Sequence, residues 1–464
     1  MSETTDPTSL VRLVADARDA LPEMPVLTDP VDRESYRHDE TAYLDAGLPG
    51  AVALPRTTDE VSTLLRLATE HRVSVVPRGA GTGLSGGAAG IEGALTIALT
   101  RMDQILEIDG ANLCVITQPG VINATLKAAV AAEGYFYPPD PASYETCSIG
   151  GNLGTNAGGL CCVKYGQTRD AVLGLEVVLA DGTVIRTGGR SVKDVAGYSL
   201  THLFVGSQGT LGIITEATLR LRLAPGPRAT LLAFFDTLDA AGDAVARMTA
   251  AGLVPVTLEL MDRETMLAVE DWHHLGLDTA AAAMLMVESD ATDAAGELDR
   301  AEAACRAAGG SSIVKAATTQ EADWLRQARR LALRALERQG TVRMEDVGVP
   351  RSRVPDLLRA IVRITAAHGV RCATFGHAGD GNLHPNLIFD RDDPAAAELT
   401  RLVRDEIFEA ALALGGTVTA EHGIGATRRE WLSVQHGDAA VGVMRSVKSA
   451  LDPLGILNPG RVFA

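Results

Sequence analysis

The chain has 464 residues, 46% hydrophobic and 22% charged, with 47 glycines and a formal net charge of -17. That length exceeds what one hydrophobic core supports, so at least two domains are expected, and the composition excludes a disordered or fibrous chain. Lysine is confined to Lys127, Lys164, Lys193, Lys315 and Lys448 in an acidic protein, which speaks against nucleic acid as a partner while leaving room for a local basic pocket.

Cys114, Cys147, Cys161, Cys162, Cys305 and Cys372 form no C-x-x-C pair and no dense framework, which fits a reducing, cytoplasmic setting. The opening Met1 to Pro7 has no basic-then-apolar signal pattern, and no stretch is long enough to span a bilayer.

In chain order, residues 8–22 carry apolar positions at helical spacing, and Thr57-Thr58-Asp59-Glu60 opens a second helix with capping-box spacing. Short β-rich runs follow at 73–77, 94–99 and 114–117, then a helix over 121–134 that ends at Gly134. Further strands occupy 171–224, with a hairpin turn at Asp181-Gly182. Pro225-Gly226-Pro227 breaks the chain, and the region to about 410 alternates alanine-rich helices, such as 294–310, with short strands. The last fifty or so residues return to a helix and a Pro/Gly-rich tail, giving an α+β pattern overall.

The loop Pro77-Arg78-Gly79-Ala80-Gly81-Thr82-Gly83, continuing to Gly86 and Gly87, contains a formal G-x-G-x-x-G. A Rossmann fingerprint needs a helix next, whereas here glycines run straight into a strand, so that fold is rejected. Successive backbone N–H groups can still turn inward as an anion nest that admits a diphosphate. A second glycine-rich loop, Ser148 to Gly159, has the same character and is preceded by Pro138-Pro139-Asp140-Pro141. Two such loops suit one large dinucleotide.

Through PRGAGTGLSGGA, PPDPASYETCSIGGNLGTNAGG and GSQGTLGIITEATLRL, the chain resembles the p-cresol methylhydroxylase and vanillyl-alcohol oxidase type of FAD domain. The resemblance implies that FAD is held by Pro77, Arg78, Gly79, Ala80, Gly81, Thr82, Gly83, Gly86, Gly87, Pro139, Ser148, Gly150, Gly151, Asn152, Thr155, Asn156, Ala157, Gly158, Gly159, Gly212, Ile213 and Asn458. Neither glycine loop holds the histidine that attaches flavin in some relatives, so non-covalent FAD is expected.

In TFGHAGDGNLHPNL (374–387), Asp380-Gly381 predicts a two-residue hairpin turn. Counting outward sets His377 opposite His384, on one side of the ribbon and about 5 Å apart at Cβ, a span one metal ion can bridge. Alternation adds Asn386 to that face as an amide donor, and Glu421 is the best third ligand, leaving open positions as in a catalytic site. His422 follows, and its flanking glycines favour a turn that brings both side chains into the cleft, where an imidazole suits general-base work.

GHAGDGNLHPNL, AEHGIG and LDPLGILNPGRVF look like the branch that holds D-lactate dehydrogenase, D-2-hydroxyglutarate dehydrogenase and the flavin subunit of bacterial glycolate oxidase. That resemblance implies metal ligands His377, His384 and Glu421, base His422, and substrate contacts from Asn386 and from Arg329, with Arg326 and Arg330 as competitors. The expected layout is an N-terminal helical segment (1–45), a two-part FAD-binding domain (46–225), an α+β substrate or cap domain bearing the hairpin (226–410) and a C-terminal helical segment completing the active site (411–464).

The 2-hydroxyglutarate enzymes carry a lysine where this chain has Met344, two residues before Asp346, which points to a monocarboxylate such as glycolate or D-lactate unless Arg343 takes the lysine's place. Two imidazoles and a carboxylate suit zinc first, with manganese and iron as alternatives. Quinone, an electron-transfer flavoprotein, an iron–sulfur subunit and oxygen all stay open as electron acceptors, and a homodimer is compatible. The competing readings are a flavin-bearing electron-transfer subunit of a larger complex, a D-2-hydroxyglutarate dehydrogenase, and a flavin-free metal hydrolase, which the two glycine loops disfavour.

Overall fold

The computed structural model describes residues 6–41 and 43–463. Its contacts group into two compact units: residues 1–158, 166–224 and 421–464 form the first, and residues 159–165 and 225–420 the second. Among the described residues, no helix is long and apolar enough to cross a membrane.

In the first unit α1 (Pro7–Ala20) precedes strands β1 (Val26–Leu27) and β2 (Ala51–Ala53). Helix α2 (Thr58–His71) starts where Thr57 and Glu60 cap each other's backbone N–H, and it ends in a left-handed Arg72. Strands β3 (Val75–Arg78) and β4 (Leu95–Ala98) complete a four-stranded sheet of order β1-β2-β4-β3, in which β4 runs parallel to both β2 and β3. Val61, Leu64, Leu65 and Ala68 of α2 pack with Leu13 and Ala17 of α1 and with Val75, Leu95 and Ile97 of the sheet. Burial of that apolar face, not helix propensity, holds both helices in place.

Next come β5 (Ile105–Asp109), β6 (Cys114–Thr117), α3 (Asn123–Ala132), α4 (Ile149–Thr155), β7 (Val172–Val178), β8 (Val184–Gly188) and β9 (Ile213–Arg220). The strands form an antiparallel sheet of order β5-β6-β9-β7-β8, and the predicted Asp181-Gly182 turn joins β7 to β8 with Gly182 at φ +85°. The second glycine block is not an extended loop. Residues 149–155 form a short helix, with Ser148 accepting from the Gly151 N–H and Asn156 ending it at φ +58°. A serine cap and a left-handed asparagine are ordinary helix signals that the density of glycine concealed.

In the second unit an eight-stranded sheet carries the order β13-β10-β12-β11-β16-β17-β14 along its main path, with β15 also pairing β17. These strands are β10 (Ala229–Phe235), β11 (Thr257–Asp262), β12 (Ala283–Ser289), β13 (Gly310–Lys315), β14 (Thr341–Met344), β15 (Val347–Gly348), β16 (Cys372–His377) and β17 (Asn382–Phe389). The helices between and after them are α5 (Leu238–Ala250), α6 (Arg263–His273), α7 (Ala294–Ala307), α8 (Thr319–Glu337), α9 (Val354–His368) and α10 (Pro394–Ala413). Strand alternation sorts the sheet into two faces. One presents Leu258, Leu260, Leu285 and Val287; the other presents Glu259, Met261, Met284, Met286 and Glu288, acids and thioethers together and all buried.

Candidate functional site

In the first unit the glycine loop after β3 is built on close approach. A Cβ on Gly79 would lie 2.4 Å from the Ser148 hydroxyl, and one on Gly81, at φ +79°, would lie 2.2 Å from the Arg78 guanidinium. The two glycine blocks meet at Ser148, whose hydroxyl accepts from both Ala80 N (3.3 Å) and Gly151 N (3.3 Å). Asn458 joins the loop to the segment before β9: its amide donates to the carbonyls of Gly87 (2.9 Å) and Gln208 (2.7 Å), while its own side-chain oxygen is buried without a hydrogen-bond partner. Gly212 and Ile213 stand at the start of β9, and Asn152 is tied by Asn123 (3.0 Å).

Charge around this loop is buried and locally cationic. Arg78 donates to the carbonyls of Ala88 (2.9 Å) and His38 (2.8 Å), and Arg461 to that of Ala89 (2.8 Å). Burial lowers both guanidinium pKa values, that of Arg461 to about 10, and raises that of Asp39, a carboxyl facing both. Two cations against one reluctant anion, beside a glycine cradle and an orphaned Asn458 oxygen, fit an anionic dinucleotide such as FAD.

The hairpin of the second unit differs from expectation. Ala378–Asp380 form a single 3-10 turn closed by Gly381 N–H to Ala378 O (3.1 Å), and only Gly381 takes a positive φ, +80°. The two-residue turn would have required left-handed geometry at Asp380 as well. His377 therefore pairs with Asn382, and His384 with Phe375. The slip is two residues, and because side chains alternate with period two, both histidines stay on one face. Their ring centroids are 5.3 Å apart with planes at 87°, and both residues are buried.

That face carries a connected polar set. His377 Nδ1 sits 2.6 Å from Glu259 Oε1, and since a carboxylate only accepts, Nδ1 is the donor of this pair. Glu259 Oε2 lies 2.7 Å from Arg329 Nε, and the Arg329 guanidinium stacks 4.4 Å over the Phe375 ring. Arg326 is engaged instead by Glu288 and Asp323. Asn386 corrects a second expectation: its NH2 group is spent on the carbonyls of Ala373 (3.1 Å) and His384 (2.6 Å), so it offers an acceptor, the buried Oδ1, and not a donor. Met344 pairs with Asn386 on this face, whereas Arg343 pairs with Leu387 on the opposite one, which removes Arg343 as a substitute for a lysine.

Asp346, fully buried, accepts from Thr419 Oγ1 (2.6 Å) and Ala420 N (2.9 Å), and its Oδ1 is 3.8 Å from His384 Nδ1. Ala420 is the last residue of the second unit and Glu421 the first of the closing segment of the other. One peptide bond keeps their Cα atoms about 3.8 Å apart. Within its own unit, residues 421–425 form a bend and not a strand, with His422 Nε2 3.4 Å from Glu421 Oε1. Ser85 donates to the His422 carbonyl (2.9 Å), and Gly423 and Gly425 take positive φ. Within the second unit, His377 and His384 with the Asp346 carboxylate beside His384 put two imidazoles and an acid together in buried surroundings, His377 being already held by Glu259, a donor set that suits a divalent cation.

Sequence reasoning passed over Glu259 as a participant, and a signal for it existed: one glutamate in the apolar strand Val256-Thr257-Leu258-Glu259-Leu260. A buried acid needs a partner, which makes such a residue conspicuous.

Comparison with known proteins gives the family and the fold. A family model described as FAD linked oxidases, C-terminal domain, matches residues 224–462, and one described as FAD binding domain matches residues 49–188. Glycolate oxidase subunit GlcD of Bacillus subtilis (strain 168) is 47% identical over 432 residues, covering 92% of each chain. D-lactate dehydrogenase of Archaeoglobus fulgidus is 34% identical over 441 residues, covering 92% of this chain and 95% of that one. Among solved structures, p-cresol methylhydroxylase with substrate bound superposes with a TM-score of 0.83 at 17% identity, covering 99% of this chain and 97% of that one, a likeness of fold alone. The chain thus belongs to the FAD-linked oxidases and is an FAD-dependent oxidoreductase with a p-cresol methylhydroxylase-type fold.

Proposed function

We propose that this protein oxidises a D-2-hydroxy monocarboxylate, of the size of glycolate or D-lactate or longer, to the 2-oxo acid. The observation that carries the reading is the buried face of His377, His384 and Asn386 beside Arg329, whose two Nη nitrogens have no protein partner among the described residues. Support also comes from relatives named as glycolate oxidase subunit and D-lactate dehydrogenase.

Non-covalent FAD supplies the two-electron acceptor, and a divalent metal, zinc before manganese or iron, supplies Lewis acidity. His377, His384 and Glu421 would hold that cation. Arg329 grips the substrate carboxylate through its Nη donors, in the planar geometry that suits arginine to the task. His422 takes the proton of the 2-hydroxyl as the α-carbon gives up its hydride, and Asn386 contacts the substrate from the hairpin. Met344, opposite Asn386, and Met261, opposite Phe375, are uncharged neighbours that suit a monocarboxylate better than a second carboxylate.

Steady-state turnover with D-lactate, glycolate, L-lactate and D-2-hydroxyglutarate tests the assignment. D-monocarboxylates are expected to be preferred, and a strong preference for the diacid or for the L-acid would overturn it. A second reading, a flavin-bearing subunit that hands electrons to partner chains, is favoured by the word subunit in the name of the Bacillus subtilis relative. Its signature is reduction by substrate without turnover until a partner is added.

A further inference from the structure

Glu259 is 2% exposed and faces two nitrogen-bearing groups at once, His377 Nδ1 at 2.6 Å and Arg329 Nε at 2.7 Å. The Arg329 contact is close in distance, but its Nε–H does not point along the line to the oxygen, so the guanidinium is held mainly as an ion pair and by stacking on Phe375. The three side chains come from separate elements, β11, α8 and β16, so no local turn forces them together. Resting on the function proposed above, we propose that Glu259 is a positioning residue shared by the metal ligand and the substrate anchor. It fixes the His377 imidazole with Nε2 directed at the cation, and it fixes the Arg329 guanidinium with its Nη donors directed at the carboxylate of a 2-hydroxy acid.

Only a carboxylate does both. It offers two acceptor oxygens and a negative charge, whereas the amide of glutamine offers one acceptor and sets an NH2 group against either Arg329 or His377. A donor facing His377 Nδ1 would also favour the wrong tautomer, moving the hydrogen to the nitrogen the cation needs. Neutralising Arg329 alone would require only the charge and would leave the metal site untouched.

The test uses flavin-loaded wild-type protein, Glu259→Gln and Glu259→Asp. Zinc and manganese affinities are measured by competition with a chromogenic chelator. Affinity for 2-hydroxy-2-methylpropanoate, which has no α-hydrogen to lose, is read from the flavin absorbance. Glu259→Gln is expected to weaken metal binding about 10- to 100-fold and to weaken the analogue as well. Glu259→Asp, with two acceptors on a shorter arm, should fall between, and it keeps the test alive if the glutamine variant does not fold. Unchanged metal and analogue affinities alongside a lowered Tm would overturn the proposal and leave Glu259 a structural counter-ion. A loss confined to one of the two ligands would overturn the shared role. Wild-type protein that binds neither metal would overturn the function reading and this proposal with it.

Discussion

Replacing Gly158 with alanine is a small change aimed at one proposed metal ligand. A Cβ built on Gly158 lies 2.3 Å from Glu421 Oε2 and 3.1 Å from Glu421 Cβ. Ordinary carbon contacts begin at 3.4 Å, so the carboxylate must retreat by about 1 Å, and the crowded Cβ blocks a simple pivot. The obstacle is the end of a flexible side chain, so the fold should survive. A displacement of about 1 Å in an active-site group costs on the order of 100-fold in rate, or roughly 2.7 kcal/mol of barrier. Gly158→Ala should therefore keep its Tm within error, bind zinc at least about tenfold more weakly, and lose about two decades in kcat. In a Glu421→Ala background the same change should have little further effect, since both act on one interaction. Undiminished metal affinity and kcat in Gly158→Ala would refute the reasoning, as would full additivity in the double variant.

Gly79→Ala places a methyl 2.4 Å from the Ser148 hydroxyl and 3.3 Å from Gly151 N, so it should lower the flavin-to-protein absorbance ratio; Ser148→Ala in the same chain should recover part of it. Burial raises the Asp262 carboxyl from 3.8 to about 6. The stability its proton supplies is thus present below pH 3.8 and lost as pH rises through about 6. From pH 4 to 7, urea unfolding should show Asp262→Asn gaining roughly 2 kcal/mol on wild type; a flat difference would contradict this. Met344→Lys should raise kcat/KM for D-2-hydroxyglutarate about tenfold or more relative to D-lactate, the order expected when an unpaired carboxylate gains a partner.

Much of this was legible in the sequence because the deciding signals were local. The capping box at Thr57 and Glu60, the Asp181-Gly182 turn and the strand run into β4 each follow from a few adjacent residues. Rejection of a Rossmann fold needed only the missing helix after Gly86. The failures share a cause: a glycine-dense string and a D-G pair were read by composition where backbone conformation decided. Residues 149–155 coil because Ser148 and Asn156 bracket them, and Asp380 enters a 3-10 turn instead of the left-handed region. The hairpin error left the histidine face intact only because the slip was even. The partners of Glu259 and Asn386 lay beyond reach for another reason. Which oxygen a buried acid gives to which neighbour, and which end of an amide is already spent, depend on strands that meet only in the folded sheet.

The central claim is most directly tested by an anaerobic visible spectrum of the purified protein before and after adding D-lactate or glycolate, with L-lactate as control. The account predicts oxidised-flavin bands that bleach with the D-acid or glycolate, persist with the L-acid, and bleach far more slowly in His422→Ala. Flavin that is present but bleaches with none of these acids would contradict the assignment of substrate and base.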